Sequence, residues 1–263
     1  MWVSMASTAA RPGRVNEDFT GAVPDAAVLI DGAGIPGTED VCRHGVAWYA
    51  TRLGGTLLGL LALAPGRALP EALADAVERV TSEHRDTCDV TDPISPSASV
   101  GILRLSAGLA EYLVLGDTYV ILDRVEGAPL VITDPREVTI SRAYQAKLET
   151  VPEGSADHHR ILRALRANRN QPGGFWLAKD DPGAASEAIT GSSPVGSLRS
   201  VALLSNGASR IVDHFGLASW AEVMAVLDAT GPAEIISRVR RAEARDGTKP
   251  DDATITHCSG LRL

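Results

Sequence analysis

Short apolar runs that end in a polar residue and a glycine recur along the chain. Residues 26–30 (AAVLI) lead into Asp31-Gly32, and residues 200–204 (SVALL) lead into Ser205-Asn206-Gly207. An apolar run of this length, bounded by turn residues, is typical of a buried strand. The same reasoning predicts further strands at 98–105, at 111–122 with an interruption at Gly116-Asp117, and at 130–133, 174–178 and 253–258.

Apolar residues at helical spacing predict helices at 39–63, 69–84, 156–167, 218–229 and 232–246. The strands come in runs, and the helices come in pairs between them. This order favours an α+β fold with antiparallel sheets over a regular alternation of strands and helices.

Composition narrows the classes of function. The chain has 263 residues, of which 44% are hydrophobic, and a net charge of −8. Without a block of Lys and Arg, we expect no binding to nucleic acid. Its most apolar segment, 53–64, is shorter than a bilayer span, and residues 1–14 lack the apolar core of a signal peptide. We therefore expect a cytoplasmic protein that does not bind membranes.

The predicted strand at 26–30 is followed by Gly32-x-Gly34-x-x-Gly37, which matches the sequence motif of a dinucleotide-binding turn. However, Asp31 would bring a carboxylate close to the pyrophosphate that such a turn holds. The acidic ribose partner expected about 20 residues later is also missing, because residues 50–58 read ATRLGGTLL. The aspartate in front of the glycines is thus the better candidate for a functional residue.

Other oxygen-bearing side chains recur in the same context as Asp31. Glu17 and Asp18 stand directly before an apolar residue, and Asp117 interrupts a strand. Asp251 stands shortly before the last predicted strand. Mg²⁺ and Mn²⁺ prefer such oxygen ligands.

Taken together, the motifs resemble the metal-dependent protein phosphatases, also called the protein phosphatase 2C family, in its bacterial form. The matching segments, in the family's order, are RVNEDF (14–19), AVLIDGAG (27–34), SASVGIL (97–103), VLGDTYVIL (114–122), VALLSNGAS (201–209) and PDDATI (250–255). The resemblance implies a four-layer α-β-β-α sandwich with two central antiparallel sheets. It also implies a single phosphatase-like domain over 1–263, with a variable flap at 134–180.

The resemblance further implies hydrolysis of phosphate monoesters by a metal-activated water that bridges two Mn²⁺ or Mg²⁺ ions, with a third ion in some members. The implied metal ligands are Glu17, Asp31, the carbonyl of Gly32, Asp117, Asn206 and Asp251. Arg14, or alternatively Arg11, would grip the substrate phosphate, so that Asp31 and Arg14 are the predicted catalytic residues. The implied substrate is a phosphoserine or phosphothreonine protein, with a small phosphorylated metabolite as the alternative.

Asn206 departs from the family, which has aspartate at this position. An amide offers an oxygen without negative charge, so we expect weaker metal binding and lower activity. Three explanations are open: a natural low-activity enzyme, an enzyme that works with fewer metals, or an asparagine introduced to trap a ligand. The first of these would also fit a catalytically weak module that binds a phosphorylated partner. Ala33 replaces a histidine that many eukaryotic members carry and fits the bacterial type.

Two cysteines and two histidines stand in the pattern Cys42-x-His44 and His84-x-x-x-Cys88. They could form a zinc site or a Cys42–Cys88 disulfide. The third interpretation is a buried Cys42, a surface His84 and a His44 packed near the rim of the active site. In the flap, Arg163, Arg166 and Arg169 are three residues apart and could form a basic face toward an anionic substrate or an ordinary solvated surface.

Overall fold

The computed structural model describes residues 1–34 and 41–261. Within these ranges the strands are β1 Trp2–Thr8, β2 Phe19–Val23, β3 Ala26–Ala33, β4 Ser97–Ser106, β5 Leu109–Leu115, β6 Tyr119–Arg124, β7 Leu130–Ile132, β8 Ile189–Pro194, β9 Leu198–Leu204 and β10 Ala253–Ser259. The α-helices are α1 Gly45–Leu63, α2 Leu69–His84, α3 Arg136–Leu148, α4 Ala156–Arg166, α5 Asn206–Asp213, α6 Trp220–Thr230 and α7 Pro232–Asp246.

The strands form two antiparallel sheets. Sheet I has the order β1-β10-β9-β6-β7, and sheet II has the order β2-β3-β4-β5-β8. Helices α1 and α2 pack on sheet II, while α5, α6 and α7 pack on sheet I. The predicted α-β-β-α sandwich with two central antiparallel sheets is therefore confirmed.

Strand β3 shows why its sequence is apolar at every position. Val28 and Ile30 belong to the core between sheet II and the helices α1 and α2. Ala27 and Leu29 face the other way, into the core between the two sheets. Because alternate side chains of a strand point to opposite faces, a strand covered on both sides needs no polar residue until it ends. In β3 the apolar run stops at Asp31.

Helix α1 is 19 residues long, and among the described residues it is the helix whose length and composition would allow it to cross a membrane. Core helices of soluble proteins meet the same criteria. Here Tyr49, Leu53 and Leu57 are buried in the core shared with sheet II. Since α1 is longer than the apolar segment 53–64, the length argument against a membrane span does not hold, and the absence of membrane binding stays a prediction.

Most predicted elements are present, but two differ. The predicted strand 174–178 is wrong: Ala178 pairs with Ala98 in an isolated bridge, and Phe175 makes its backbone bonds to Asn168 and Asn170. Its apolar side chains are buried as anchors for the flap rather than as part of a sheet. The helix predicted from 39 begins at Gly45, and residues 39–40, like Gly37 of the glycine motif, lie outside the described residues.

Candidate metal-binding active site

Both sheets deliver polar residues to one end of the sandwich. Asp31 lies in β3 opposite Ser99 of β4, and Asp117 lies in the turn between β5 and β6. Asn206 is the first residue of α5, directly after β9. Residues from four separate segments of the chain therefore meet at this end, and three of them, Asp31, Asp117 and Asn206, are predicted site residues.

Asn206 joins two of the acids. Its backbone N–H donates to Oδ2 of Asp31 over 2.9 Å, and its side-chain Nδ2 donates to Oδ2 of Asp117 over 3.0 Å. The other carboxylate oxygen of Asp117, Oδ1, accepts from the hydroxyl of Ser99 at 2.7 Å. An ionised carboxylate only accepts hydrogen bonds, so the group facing Asp117 must be the NH₂ of the amide. An aspartate at position 206 could not make this bond.

Asp251 and Asp252, which are adjacent in sequence, have different environments. Asp252 is buried and accepts from the backbone N–H of Ala10 at 2.7 Å and of Glu17 at 2.6 Å. It thereby fixes the segment that carries Glu17. The side chain of Asp251 is 50% exposed and accepts from Arg210 at 2.9 Å. Asp251 is thus the more accessible of the two and is paired with a cation, and its role as a ligand stays a prediction, while Asp252 has a positioning role that sequence reasoning did not find.

Two glycines allow the segments of the site to approach one another. A Cβ on Gly32 would clash with the carbonyl oxygen of Glu17 and meet Val46 Cγ1 at 2.7 Å. A Cβ on Gly207 would clash with the carbonyl oxygen of Asp252. Both clashes involve backbone, which cannot rotate away. The glycines that follow Asp31 and Asn206 are therefore required by close packing of the chain at this end.

Asp18 was not among the predicted ligands, yet its environment points to a cation. Burial raises its pKa to about 7, which the hydroxyls of Thr254 and Ser205 oppose and Asp252 and Asp251 reinforce. Its Oδ2 is buried without a hydrogen-bond partner among the described residues. In the sequence, the only signal for Asp18 was its position next to Glu17, and the resemblance pointed to Glu17.

Asp31 is 8% exposed and carries the same signature. Burial raises its pKa well above the ordinary value, and the carboxylates of Asp18 and Asp117 raise it further, while the N–H of Asn206 lowers it. Burial likewise raises the pKa of Glu17, against an opposing effect of Arg14. Clustered buried acids with an orphaned oxygen are short of positive charge, and a divalent cation would supply it. The residues present therefore fit the oxygen-donor set of Mn²⁺ or Mg²⁺.

The two arginine candidates lie in different places. Arg14 places a guanidinium nitrogen 3.8 Å from a carboxylate oxygen of Glu17. Arg11 instead lines a cavity of about 580 Å³ together with Glu153, Arg240 and Lys249. Arg14 is therefore adjacent to the acids, and Arg11 faces a separate depression.

Two of the three arginines in the predicted flap pair with acids, whereas Nε and Nη2 of Arg169 are buried without a hydrogen-bond partner among the described residues. Arg163 pairs with Asp92 at 2.9 Å, and Arg166 pairs with Glu137 at 2.9 Å. Arg169 lies beyond the end of α4 and is buried. These three residues therefore do not form a common helix face: the Arg163 side chain is 51% exposed, Arg166 is mostly covered and Arg169 is buried.

Two central antiparallel sheets with helices packed on both outer faces are also the fold of solved serine/threonine phosphatases. The serine/threonine phosphatase PstP/Ppp of Mycobacterium tuberculosis is 16% identical and superposes with a TM-score of 0.62 over 98% of this chain and 97% of that chain. The phosphatase MsPP of Mycobacterium smegmatis, in complex with cacodylate, is 16% identical with a TM-score of 0.59 over 98% of both chains.

A third similar structure is the catalytic domain of PstP in complex with two manganese ions. It is 14% identical, with a TM-score of 0.59 over 98% of this chain and 97% of that chain. No protein-family model matches the chain, and no curated protein matches its sequence. At these identities the comparisons establish the fold.

Proposed function

We propose that this chain is a metal-dependent phosphomonoester hydrolase that acts on phosphoserine or phosphothreonine in proteins. The observation that carries the proposal is the convergence of Asp31 and Asp117 on Asn206, at the end of the sandwich that also holds Glu17 and Asp18. The fold is shared with proteins that are named as serine/threonine phosphatases. Fold and donor set thus support the same chemistry.

The residues that would hold two, or three, Mn²⁺ or Mg²⁺ ions are Glu17, Asp18, Asp31, the carbonyl of Gly32, Asp117, Asn206 and Asp251. The manganese ions of the similar PstP structure support this choice of metal. When bound, such ions lower the pKa of a coordinated water and neutralise charge on the phosphoryl oxygens. Asp252 would support the site by fixing the backbone of Glu17.

Arg14 is our choice for the residue that binds the substrate phosphate. Its guanidinium lies beside the acids, 3.8 Å from a carboxylate oxygen of Glu17. A planar guanidinium matches two phosphoryl oxygens at once. Ala33 cannot donate a proton to the leaving group, so that proton would come from water or from another side chain.

Asn206 supports a second candidate, a weakly catalytic module that binds a phosphorylated partner. The amide satisfies Asp117 with a hydrogen bond and adds no charge to the metal site. A phosphorylated small molecule is the remaining alternative substrate, since the same donor set would serve either.

The test is hydrolysis of p-nitrophenyl phosphate and of a phosphothreonine peptide by the full chain. We expect hydrolysis that requires added Mn²⁺ and stops with EDTA. Asp31→Asn should abolish it, while Asp246→Asn, which removes an exposed carboxylate at the end of α7, should leave it unchanged.

The remaining outcomes separate the alternatives. Hydrolysis of p-nitrophenyl phosphate but not of peptides would favour a small-molecule substrate. If neither substrate is hydrolysed at any Mn²⁺ concentration, even by Asn206→Asp, while a phosphopeptide binds, the binding module is correct and the enzyme proposal is wrong.

A further inference from the structure

Four side chains with soft metal-binding atoms meet beside the first turn of α1. Cys42 and His44 immediately precede α1, His84 is the last residue of α2, and Cys88 follows in the next loop. The backbone N–H of Asp89 donates to the carbonyl of Val41 over 2.9 Å and ties the two segments together. The interpretation of His84 as a surface residue is wrong, because it is only 3% exposed.

Two of the distances between these atoms match those of a tetrahedral zinc site. Cys42 Sγ lies 3.7 Å from His84 Nδ1, and His44 Nδ1 lies 3.3 Å from Cys88 Sγ. All four candidate ligand atoms lie within 4.8 Å of one another. Zn–S bonds of about 2.3 Å and Zn–N bonds of about 2.0 Å place tetrahedral ligand atoms about 3.3–3.8 Å apart. Two of the ligand pairs already have this separation.

We propose that Cys42, His44, His84 and Cys88 bind a structural Zn²⁺ ion. Two thiolates and two imidazoles are a donor set that zinc takes in structural sites, in which all four positions are protein ligands. The acids at the end of the sandwich are hard oxygen donors that suit Mn²⁺ or Mg²⁺. Ligand type therefore favours Zn²⁺ at the thiolate and imidazole cluster and leaves the carboxylates as the site for hard cations.

The surroundings of the cluster resemble the shell of a structural metal site. Cys42 is 4% exposed, and the ring of Trp48 stacks on His44 with centroids 4.4 Å apart. Trp48 also lies against His84, at 5.1 Å between centroids. The aromatic cover restricts access of water and fixes the orientation of both imidazoles. The cysteines are free thiols, so a Cys42–Cys88 disulfide is not formed.

The position of the cluster gives the zinc a structural task. Val46, two residues after His44, contacts the positions where Gly32 and Gly34 would carry a Cβ. A zinc ion would therefore cross-link the start of α1 to the end of α2, next to the backbone that follows Asp31. We therefore expect the zinc to stabilise the contact between the start of α1 and the end of α2. Its loss should weaken that contact without removing any oxygen ligand of the proposed active site.

Metal analysis of the purified full chain tests the proposal. Protein produced with zinc in the medium is expected to contain one zinc per chain. Cys88→Ala should lower the zinc content at least tenfold, whereas Cys258→Ala, which removes the third cysteine from the core between the sheets, should retain it. Zinc should also stay in Asp31→Asn, which separates this site from the proposed active site.

Cobalt provides a readout that needs no variant. Co²⁺ added to the metal-free chain is expected to give thiolate-to-cobalt charge-transfer absorption, which only cysteine ligands produce. Absence of that band together with absence of zinc overturns the proposal. So does zinc that remains in Cys88→Ala, or a Cys42–Cys88 disulfide that forms in the presence of zinc. Should Cys88→Ala fail to fold, the cobalt titration of the unchanged chain decides the question.

Discussion

Replacing Asn206 by aspartate is the sharpest test of the acid cluster. The substitution should destabilise the metal-free protein and should strengthen the binding of manganese. In the metal-free protein, Asn206→Asp removes the 3.0 Å hydrogen bond to Asp117 and puts a carboxylate in its place. A hydrogen bond to a charged group is worth about 1.5–3 kcal/mol. Two like charges about 3 Å apart repel by about 5 kcal/mol at an effective dielectric constant of 20.

Relaxation and protonation will relieve part of that repulsion. We therefore expect Asn206→Asp to lower the free energy of unfolding by about 2–4 kcal/mol in EDTA. With Mn²⁺ the added charge becomes a ligand, so manganese should bind at least tenfold more tightly and hydrolysis at limiting manganese should rise. The measurements are urea unfolding with EDTA and with a series of Mn²⁺ concentrations, together with p-nitrophenyl phosphate hydrolysis.

The matched control exchanges the two partners. Asn206→Asp combined with Asp117→Asn keeps the net charge of the natural chain and again pairs one amide with one carboxylate. Its metal-free stability should recover most of the loss. If Asn206→Asp is as stable as the natural chain in EDTA and binds manganese no more tightly, the amide neither satisfies Asp117 nor occupies a ligand position, and the reasoning fails.

Three further predictions address the same end of the sandwich. Because the pKa of Asp18 is raised from 3.8 to about 7 in the folded state, the folded protein holds a proton that the unfolded chain releases. Metal-free stability should therefore fall as pH rises from 4 toward 7. Urea unfolding in EDTA should show a loss of about 3 kcal/mol from Asp18, and Asp18→Asn should make the curve less steep, while Asp31 and Glu17, whose pKa values are also raised, still contribute. Gly207→Ala should destabilise the protein by about 1–3 kcal/mol, because the added methyl group would clash with the backbone of Asp252. The control is Gly59→Ala in α1, where a methyl group meets open space and should stabilise the protein slightly; thermal unfolding measures both. Arg14→Ala should lower kcat/KM for p-nitrophenyl phosphate by about 10–100-fold, whereas an equal loss with Arg11→Ala would assign the phosphate to the other arginine.

The sequence predicted the layers of the fold because apolar patterning records burial. Strand β3 reads as a continuous apolar run since both of its faces are covered. Strands β1, β2 and β8 were missed because all three lie at sheet edges, where none of their residues is fully buried. Residues 174–178 show the opposite error. Their apolar side chains are buried without forming a strand, and in the sequence such residues have the same pattern as a strand.

The site was predicted less completely, because the role of a polar residue depends on partners that are distant in sequence. The sequence pattern singled out Asp31 and Asp117, and the resemblance named Glu17 and Asp251 as ligands but assigned no role to their neighbours Asp18 and Asp252. It recorded Asn206 as a lost charge, whereas the structure shows an amide that donates to two carboxylates through its backbone and side chain. Such contacts arise only when four segments are brought together.

The hydrogen bonds that Asn206 donates offer a reason why a chain would keep an amide in the proposed metal site. Buried carboxylates need compensating positive charge or hydrogen-bond donors, and a chain with aspartate at this position depends on the metal for both. Here the side-chain amide supplies one donor to Asp117 whether or not a metal is bound, so we expect the folded state to depend less on manganese. The expected consequence is a protein that is stable without manganese and needs more of it to react, which places activity rather than folding under the control of metal concentration.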